Sequence, residues 1–288
     1  MTGSVRPAQP FEPWDAVAVG WSRWWSVFEN AAQPVSERLV ALAGVAPGHT
    51  VLDLATGLGE PALTAARRVG PRGRVLATDM AAAMLRGAAA RAEAAGLRNI
   101  MFRAMDAERP DLPPDSFDAI LCRWGLMFVP GLDEALRRLV TLLKPGGGFA
   151  AAAWATREEV PMIQISSAAV AACAPLPEDP PGTLDAFRFA EPERLAAPMR
   201  RAGLVEVSWE PLPLTFEFAS ADAYTQFRRD VTTLDSKLRQ HHPPHLVEAA
   251  WEAVTQAARD RADADGRLCL VNTALCFTGR RMAPLVAR

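Results

Sequence analysis

After Pro13 the apolar residues Trp14, Val17, Ala18, Trp21, Trp24, Trp25 and Phe28 recur at three- and four-residue steps, which predicts a helix with an aromatic face. A second helical stretch, Pro34 to Val45, leads through APGHT to an apolar strand, Val51 to Leu54. From there the two patterns alternate. Strands are predicted at Arg74 to Thr78, Ile100 to Ala104, Ala119 to Arg123 and Gly148 to Trp154, with helices at Pro61 to Val69, Ala81 to Ala95 and Leu132 to Leu143. This alternation predicts a parallel sheet with helices on both faces. LKPGGG, Leu143 to Gly148, stops a helix sharply and turns the chain into a strand.

Beyond Trp154 the rhythm changes. Pro161 to Val170 and Glu193 to Ala202 read as helices, separated by a proline-rich loop, Ala174 to Thr183. Two strand-like stretches follow: Val205 to Trp209, extended through Leu214 to Phe218, and Arg267 to Phe277. Between them Ala221 to Ala264 is a helical insertion broken at HHPPH, His241 to His245. The N-terminal aromatic helix has two readings. It packs on the core, or it is a lid whose rigid rings exclude water and hold an apolar or aromatic ligand.

The length of 288 residues suits one catalytic domain with an elaborated cap. Lys and Arg number 31 against 33 Asp and Glu, and no long run of one sign occurs, which argues against a nucleic-acid stripe or a polybasic membrane anchor. No apolar run reaches about 18 residues and no signal-peptide pattern opens the chain, so a soluble, cytoplasmic protein is expected. Cys122, Cys173, Cys269 and Cys276 are scattered away from the histidines, so neither a disulfide framework nor a metal site is expected. The partner expected is a small molecule, not nucleic acid or a membrane.

GLGEPA, Gly57 to Ala62, fits the G-x-G-x-x-G/A fingerprint, and Asp79 closes the next strand about 20 residues on, where a ribose-binding acid belongs. Glycines let the backbone approach a ligand and the helix N-terminus offers free N–H groups, whichever nucleotide cofactor is bound. Three features favour S-adenosylmethionine over a dinucleotide. Asp53 lies four residues before Gly57, where a bound amino acid's ammonium could sit. Asp106, in AMDAE past the third strand, can accept from an adenine amino group while Ala107 offers a backbone N–H. A Tyr-x-x-x-Lys pair is missing: the only tyrosine, Tyr224, is followed four residues later by Arg228. An NAD(P)-dependent oxidoreductase on a Rossmann fold stays open as the alternative. Structural roles compete too, since Asp79 could cap the helix at Ala81 and DAERP could be a surface loop.

VLDLATGLGEPALTAA, VLATDMAAAML, MDAERPDLPPDSFDAILCRWGLMFV and EALRRLVTLLKPGGGFAAAAW, taken together and in order, resemble the successive motifs of class I S-adenosylmethionine-dependent methyltransferases. They cover about two fifths of the chain, from Val45 to Trp154. WSRWWSVFENAAQPV and FRFAEPERLAAPMRRAGL further resemble the ubiquinone/menaquinone-biosynthesis-like small-molecule group.

The resemblance implies an α/β fold: a Rossmann-like, seven-stranded, mostly parallel sheet with helices on both faces, plus helical lid elements. The last strand, Arg267 to Phe277, is antiparallel and inserted beside the preceding ones. Residues 1–44 become a helical lid, and 45–288 a cofactor-binding domain with cap insertions at about 157–190 and 220–264. Asp53, Ala55, Thr56, Gly57 and Gly59 are expected around the methionine moiety, Ala55 standing where the family usually has glycine. Asp79 is expected on the ribose, Met80 against the adenine face, and Asp106 and Ala107 at the adenine edge. Arg123 is expected on the cofactor carboxylate, with a substrate anion or a helix acid as its other partners.

Trp21, Trp25, Phe28, Trp124, Met127 and Tyr224 are the expected substrate residues. Glu60, His241, His242 and His245 are weak acid/base candidates, so no catalytic residue and no metal ligand is assigned. The implied activity is in-line methyl transfer to a small apolar or aromatic acceptor, driven by proximity and water exclusion, in a monomer or homodimer. A non-catalytic S-adenosylmethionine-binding protein is the other alternative.

Overall fold

A computed structural model describes residues 14–178, 180 and 182–283; residues 1–13, the start of the expected lid segment, lie outside the described residues. Five parallel strands form one side of the sheet: β1 (Thr50–Leu54), β2 (Arg74–Asp79), β3 (Ile100–Ala104), β4 (Phe117–Arg123) and β5 (Leu143–Trp154). β6 (Leu204–Phe218) and β7 (Leu268–Arg281) complete the order β3-β2-β1-β4-β5-β7-β6. β7 is inserted antiparallel between β5 and β6, as the resemblance implied. The order reverses between β1 and β4, and a crevice at such a switch point is where ligands bind in open α/β sheets.

β1 and β4 are buried along nearly their whole length because helices cover both faces. The helices are α1 (Trp14–Arg23), α2 (Trp25–Leu42), α3 (Ala62–Val69), α4 (Ala82–Ala94), α5 (Leu132–Leu142), α6 (Pro161–Cys173), α7 (Glu193–Arg201), α8 (Ala221–Val231), α9 (Leu234–His241) and α10 (Pro244–Arg259). HHPPH separates α9 from α10, with Pro244 in the first turn, where a missing N–H costs nothing. Val35 and Leu39 of α2 are fully buried in the same core as Leu52, Ile120, Phe149 and Phe277. In β5 the run Ala150 to Ala153 is buried throughout, its small side chains letting neighbouring elements close in.

Two boundaries differ from expectation. The aromatic helix breaks at Trp24, and α2 runs on through Pro34 instead of starting there. The interruption is slight, since the Trp24 N–H still bonds the Gly20 carbonyl at 3.1 Å and the Phe28 N–H the Trp24 carbonyl at 3.0 Å; there Asp230 of α8 accepts from the Trp24 indole at 2.8 Å and from Arg23 at 2.9 Å. Pro34 forfeits one backbone bond, but Ala31, Ala32, Val35 and Leu39 bury a continuous face around it. Likewise β6 is one continuous strand across Pro211 and Pro213, which is possible because β6 is the edge of the sheet.

α2 sits so close to β5 that a β-carbon at Gly148 would stand 2.1 Å from the Ala43 carbonyl oxygen. Gly148→Ala should therefore lower unfolding stability by about 1–3 kcal/mol, measured by urea titration. An unchanged midpoint would show that α2 retreats from the sheet without cost.

Candidate functional site

At the end of β1 the chain enters the glycine turn, with φ of 52° at Ala55, 54° at Gly57 and 114° at Gly59. Ala55 is one of two non-glycine residues held in the left-handed region at this end of the sheet; the other is Trp124, φ 57°, just past β4. They are neighbours, because Gly125 fits where a β-carbon would lie 2.5 Å from that of Ala55. Strain of this kind persists where surrounding structure over-determines it, and it clusters at functional sites.

Asp79 shapes the turn. Its Oδ2 accepts from the Gly57 N–H at 2.8 Å and its Oδ1 from the Ala81 N–H at 2.9 Å. Burial raises its pKa and these backbone donors oppose the rise. Each oxygen keeps a second lone-pair direction, so holding the turn, capping α4 and accepting from ribose hydroxyls are compatible roles. Beside it Met80 displays a large apolar side chain, 55% exposed. Asp106 is half-buried and accepts from the Glu108 N–H at 2.9 Å, and the adjoining Ala107 is half-buried against the core.

Asp53 is fully buried, and its Oδ2 accepts from the Ala62 N–H at 3.1 Å. Its Oδ1 and the Thr56 hydroxyl are buried with no partner among the described residues. Burial pushes the Asp53 carboxyl up to about 8. At Gly57 a β-carbon would meet open space, so the turn presents bare backbone there. The unpartnered Asp53 oxygen is an acceptor of the kind an ammonium needs, which fits the amino-acid end of S-adenosylmethionine.

Arg123 is corrected. It is buried and gives Glu29 of α2 two bonds, 2.7 and 2.8 Å, with further bonds to Ser36 Oγ at 2.8 Å and the Ala32 carbonyl at 3.3 Å. Of its three expected partners the helix acid is the one seen, and these bonds engage both terminal nitrogens. Glu29 carried no signal in the sequence, since an acid on a helix that also bears Glu37 and Arg38 reads as solvated.

Among the expected substrate residues, Trp21, Phe28 and Trp124 come together: Phe28 lies edge-on to Trp21 at 4.9 Å and to Trp124 at 5.5 Å. Trp154, stacked on Trp124 at 4.4 Å and 14°, joins this wall with Phe216 and Phe227, all three missed from sequence. The others lie elsewhere. Trp25 packs under the Arg91 guanidinium at 4.4 Å, and Met127 is a core residue. Tyr224 is fully buried and structural: its hydroxyl donates to the Met162 carbonyl at 2.9 Å and accepts from the Ser166 N–H at 3.2 Å, tying α8 to α6. Glu60 is buried and accepts from the Thr64 hydroxyl at 2.7 Å, while His241 and His245 are exposed.

α1 spans the crevice. Val17 and Ala18 pack on Leu58 of the turn and on Ala81 and Met84, and Trp14 meets Phe128 edge-on at 5.4 Å. Asp15 accepts from the Ala83 N–H in the first turn of α4 at 2.8 Å, an unexpected tether.

Comparison with known proteins agrees with this geometry. A methyltransferase-domain family model matches residues 51–147. Nocamycin O-methyltransferase of Saccharothrix syringae is 32% identical over 203 residues, 66% of this chain and 71% of that one. The UbiE ubiquinone/menaquinone biosynthesis C-methyltransferase of Ectopseudomonas oleovorans is 36% identical over 134 residues, 46% of this chain and 73% of that one. Aklanonic acid methyltransferase DauC of Streptomyces sp. (strain C5) is 38% identical over 117 residues, 41% of this chain, and the match spans only 53% of that relative. The crystal structure of the cyclase SpnF superposes with a TM-score of 0.57 at 18% identity, covering 96% of this chain and 99% of that one. The fold and site define a class I, Rossmann-like nucleotide-binding protein. The chain belongs to the S-adenosylmethionine-dependent methyltransferases, and S-adenosylmethionine is its cofactor.

Two outcomes follow. Arg123→Leu leaves Glu29 buried and unpaired, so it should cost about 3–5 kcal/mol in denaturant unfolding, and most of that should return in the Glu29→Leu/Arg123→Leu double variant. An additive double variant would show that the two side chains act separately. For Asp53, the folded pKa of about 8 lies above the ordinary 3.8. Its favourable contribution is therefore complete below about 4 and lost as pH rises toward 8. Asp53→Asn, which keeps an acceptor for the Ala62 N–H, should raise Tm over the parent by a margin that grows from pH 5 to pH 8.5. A margin independent of pH would contradict the assignment.

Proposed function

We propose that this methyltransferase acts on a small apolar or aromatic acceptor, held between the aromatic wall and the glycine turn. The observation that carries the reading is the junction at Ala55, Trp124 and Gly125, where the glycine turn meets the residue whose ring packs on Phe28 and Trp154. S-adenosylmethionine, when bound, supplies an electrophilic methyl group. Asp53 and Thr56 hold its amino-acid end, Asp79 its ribose, and Met80, Asp106 and Ala107 its adenine.

The rings exclude water and orient the acceptor, which is the main demand of an in-line displacement. Tyr224 and Glu60 are engaged in structural bonds, which favours proximity over general-base chemistry. Residues 1–44 act as the lid with α1 as its covering element, and helical caps at about 157–190 and 220–264 close the acceptor side. Relatives named for nocamycin, aklanonic acid and ubiquinone/menaquinone support a small-molecule acceptor over nucleic acid. No helix among the described residues is long and apolar enough to cross a membrane, and we place the protein in the cytoplasm as a monomer or homodimer.

S-adenosylhomocysteine at a hundredfold over its Kd should stabilise the fold by about 2.7 kcal/mol, seen as a raised Tm. Asp79→Ala should weaken its binding at least tenfold by calorimetry. No thermal shift in the parent protein, or unchanged affinity in the variant, would refute the cofactor site and the ribose role respectively.

A further inference from the structure

We propose that the cleft between α5 and α7 is a second ligand site, separate from the methyl-transfer crevice, and that it takes a phosphate monoester carried on an apolar body. Its groups lie outside the site described above, so it does not depend on the methyltransferase reading.

The cleft has a volume of about 610 Å³, which is the size of a small-molecule site. Two segments line it, Pro130 to Arg137 at the start of α5 and Arg188 to Arg201 leading through α7. None of the residues assigned to the cofactor or to the aromatic wall is among them. Most of the second segment belongs to FRFAEPERLAAPMRRAGL, which the crevice leaves unused.

The charges in the cleft do not balance. Its three acids are each taken by an arginine: Asp133 accepts from Arg201 at 2.6 Å, Glu134 from Arg137 at 2.6 Å and Glu193 from Arg200 at 2.7 Å. Arg188 and Arg194 are left over. Arg194 is exposed and makes no side-chain hydrogen bond or ion pair among the described residues. Glu191, which lies between the two in sequence, does not line the cleft. The other large cavity, bounded by α1, α8 and α9, is different. There Arg23 bonds Asp230 at 2.9 Å, and Arg229 and Arg239 share Asp235 at 3.0 and 2.7 Å, so every lining guanidinium has its carboxylate.

Arg188 is the anchor. It is half-buried, and its Nη1 donates to the backbone carbonyls of Val129 and Met127. Its guanidinium lies 5.2 Å from the centre of the buried Phe189 ring. Nε and Nη2 make no bond among the described residues. Burial lowers its pKa, and the acid that opposes the fall, Asp133, is the one bonded to Arg201. A guanidinium drawn partly out of water against neutral acceptors lacks the counter-charge that normally compensates its desolvation. The ring and the two carbonyls fix it before any ligand arrives, which lowers the ordering cost of binding.

Two unpaired guanidiniums in one cleft match a dianion. A phosphate monoester carries about −1.5 to −2 charges at pH 7 and three acceptor oxygens, and the fork of an arginine fits phosphoryl oxygens in pairs. A monocarboxylate would balance only one of the two cations. Pro130, Phe189, Ala197 and Pro198 line the same cleft and give an apolar body a surface to lie on.

The test titrates phenyl phosphate, inorganic phosphate and phenol separately into the whole chain by calorimetry, at pH 7.5 and low ionic strength. Phenyl phosphate should bind with a Kd below about 1 mM, inorganic phosphate at least tenfold more weakly and phenol not measurably. Arg188→Gln and Arg194→Gln should each weaken phenyl phosphate about tenfold. Arg194 is exposed, so its variant decides the matter even where loss of Arg188 disturbs the fold. Arg239→Gln, which removes the same charge from the other cavity, should leave the affinity within twofold, and so should saturating S-adenosylhomocysteine. No binding of phenyl phosphate, unchanged affinity in Arg194→Gln, or an equal loss in Arg239→Gln would overturn the proposal. Equal binding of inorganic phosphate would overturn it by showing that the apolar surface plays no part. Displacement by S-adenosylhomocysteine would put the probe in the crevice and also overturn it. If S-adenosylhomocysteine itself did not bind, the methyltransferase reading would fall, while the comparison of Arg194→Gln with the parent would still stand.

Discussion

The ion pair between Arg123 and Glu29 is the constraint on which the site depends. It joins the last residue of β4 to the second turn of α2, 94 positions earlier, and both side chains are buried. A buried pair of this kind contributes little net stability compared with apolar packing, but it tolerates only one geometry. It therefore fixes where α2 lies along the sheet. Phe28, next to Glu29, is set against Trp124, next to Arg123, by the same bonds.

From that anchor the rest of the crevice follows. α2 continues back through Trp24 into α1, and α1 reaches across the glycine turn to α4 by way of Asp15. Its far end is held on α8 by Asp230. α1 thus bridges the glycine turn and α8, held by hydrogen bonds at its ends with Val17 and Ala18 buried between them.

What was legible in the sequence is what local rules govern. β3 falls where its alternation placed it, the other sheet strands shift by a few residues, and the glycine turn and Asp79 stand as the fingerprint required. What was not legible depends on contacts distant along the chain. Nothing near Arg123 singles out Glu29 as the helix acid among its three expected partners, and nothing near Tyr224 announces the Met162 carbonyl. The side-chain partner at the Trp24 junction is equally distant, an acid more than 200 residues downstream. Helical periodicity alone runs straight through it. The two left-handed residues, Ala55 and Trp124, were also hidden, since their side chains give no local reason for that backbone.

The prolines of β6 bear on how copies of this chain can meet. A strand that adds to a sheet edge needs the outward N–H groups of that edge as donors. Pro211 and Pro213 have none to give, and β7 already occupies the inner side of β6. The middle of this fifteen-residue edge is therefore closed to strand addition, which makes it a guard against fibre-like growth. Sheet continuation is left to the opposite edge, the short strand β3.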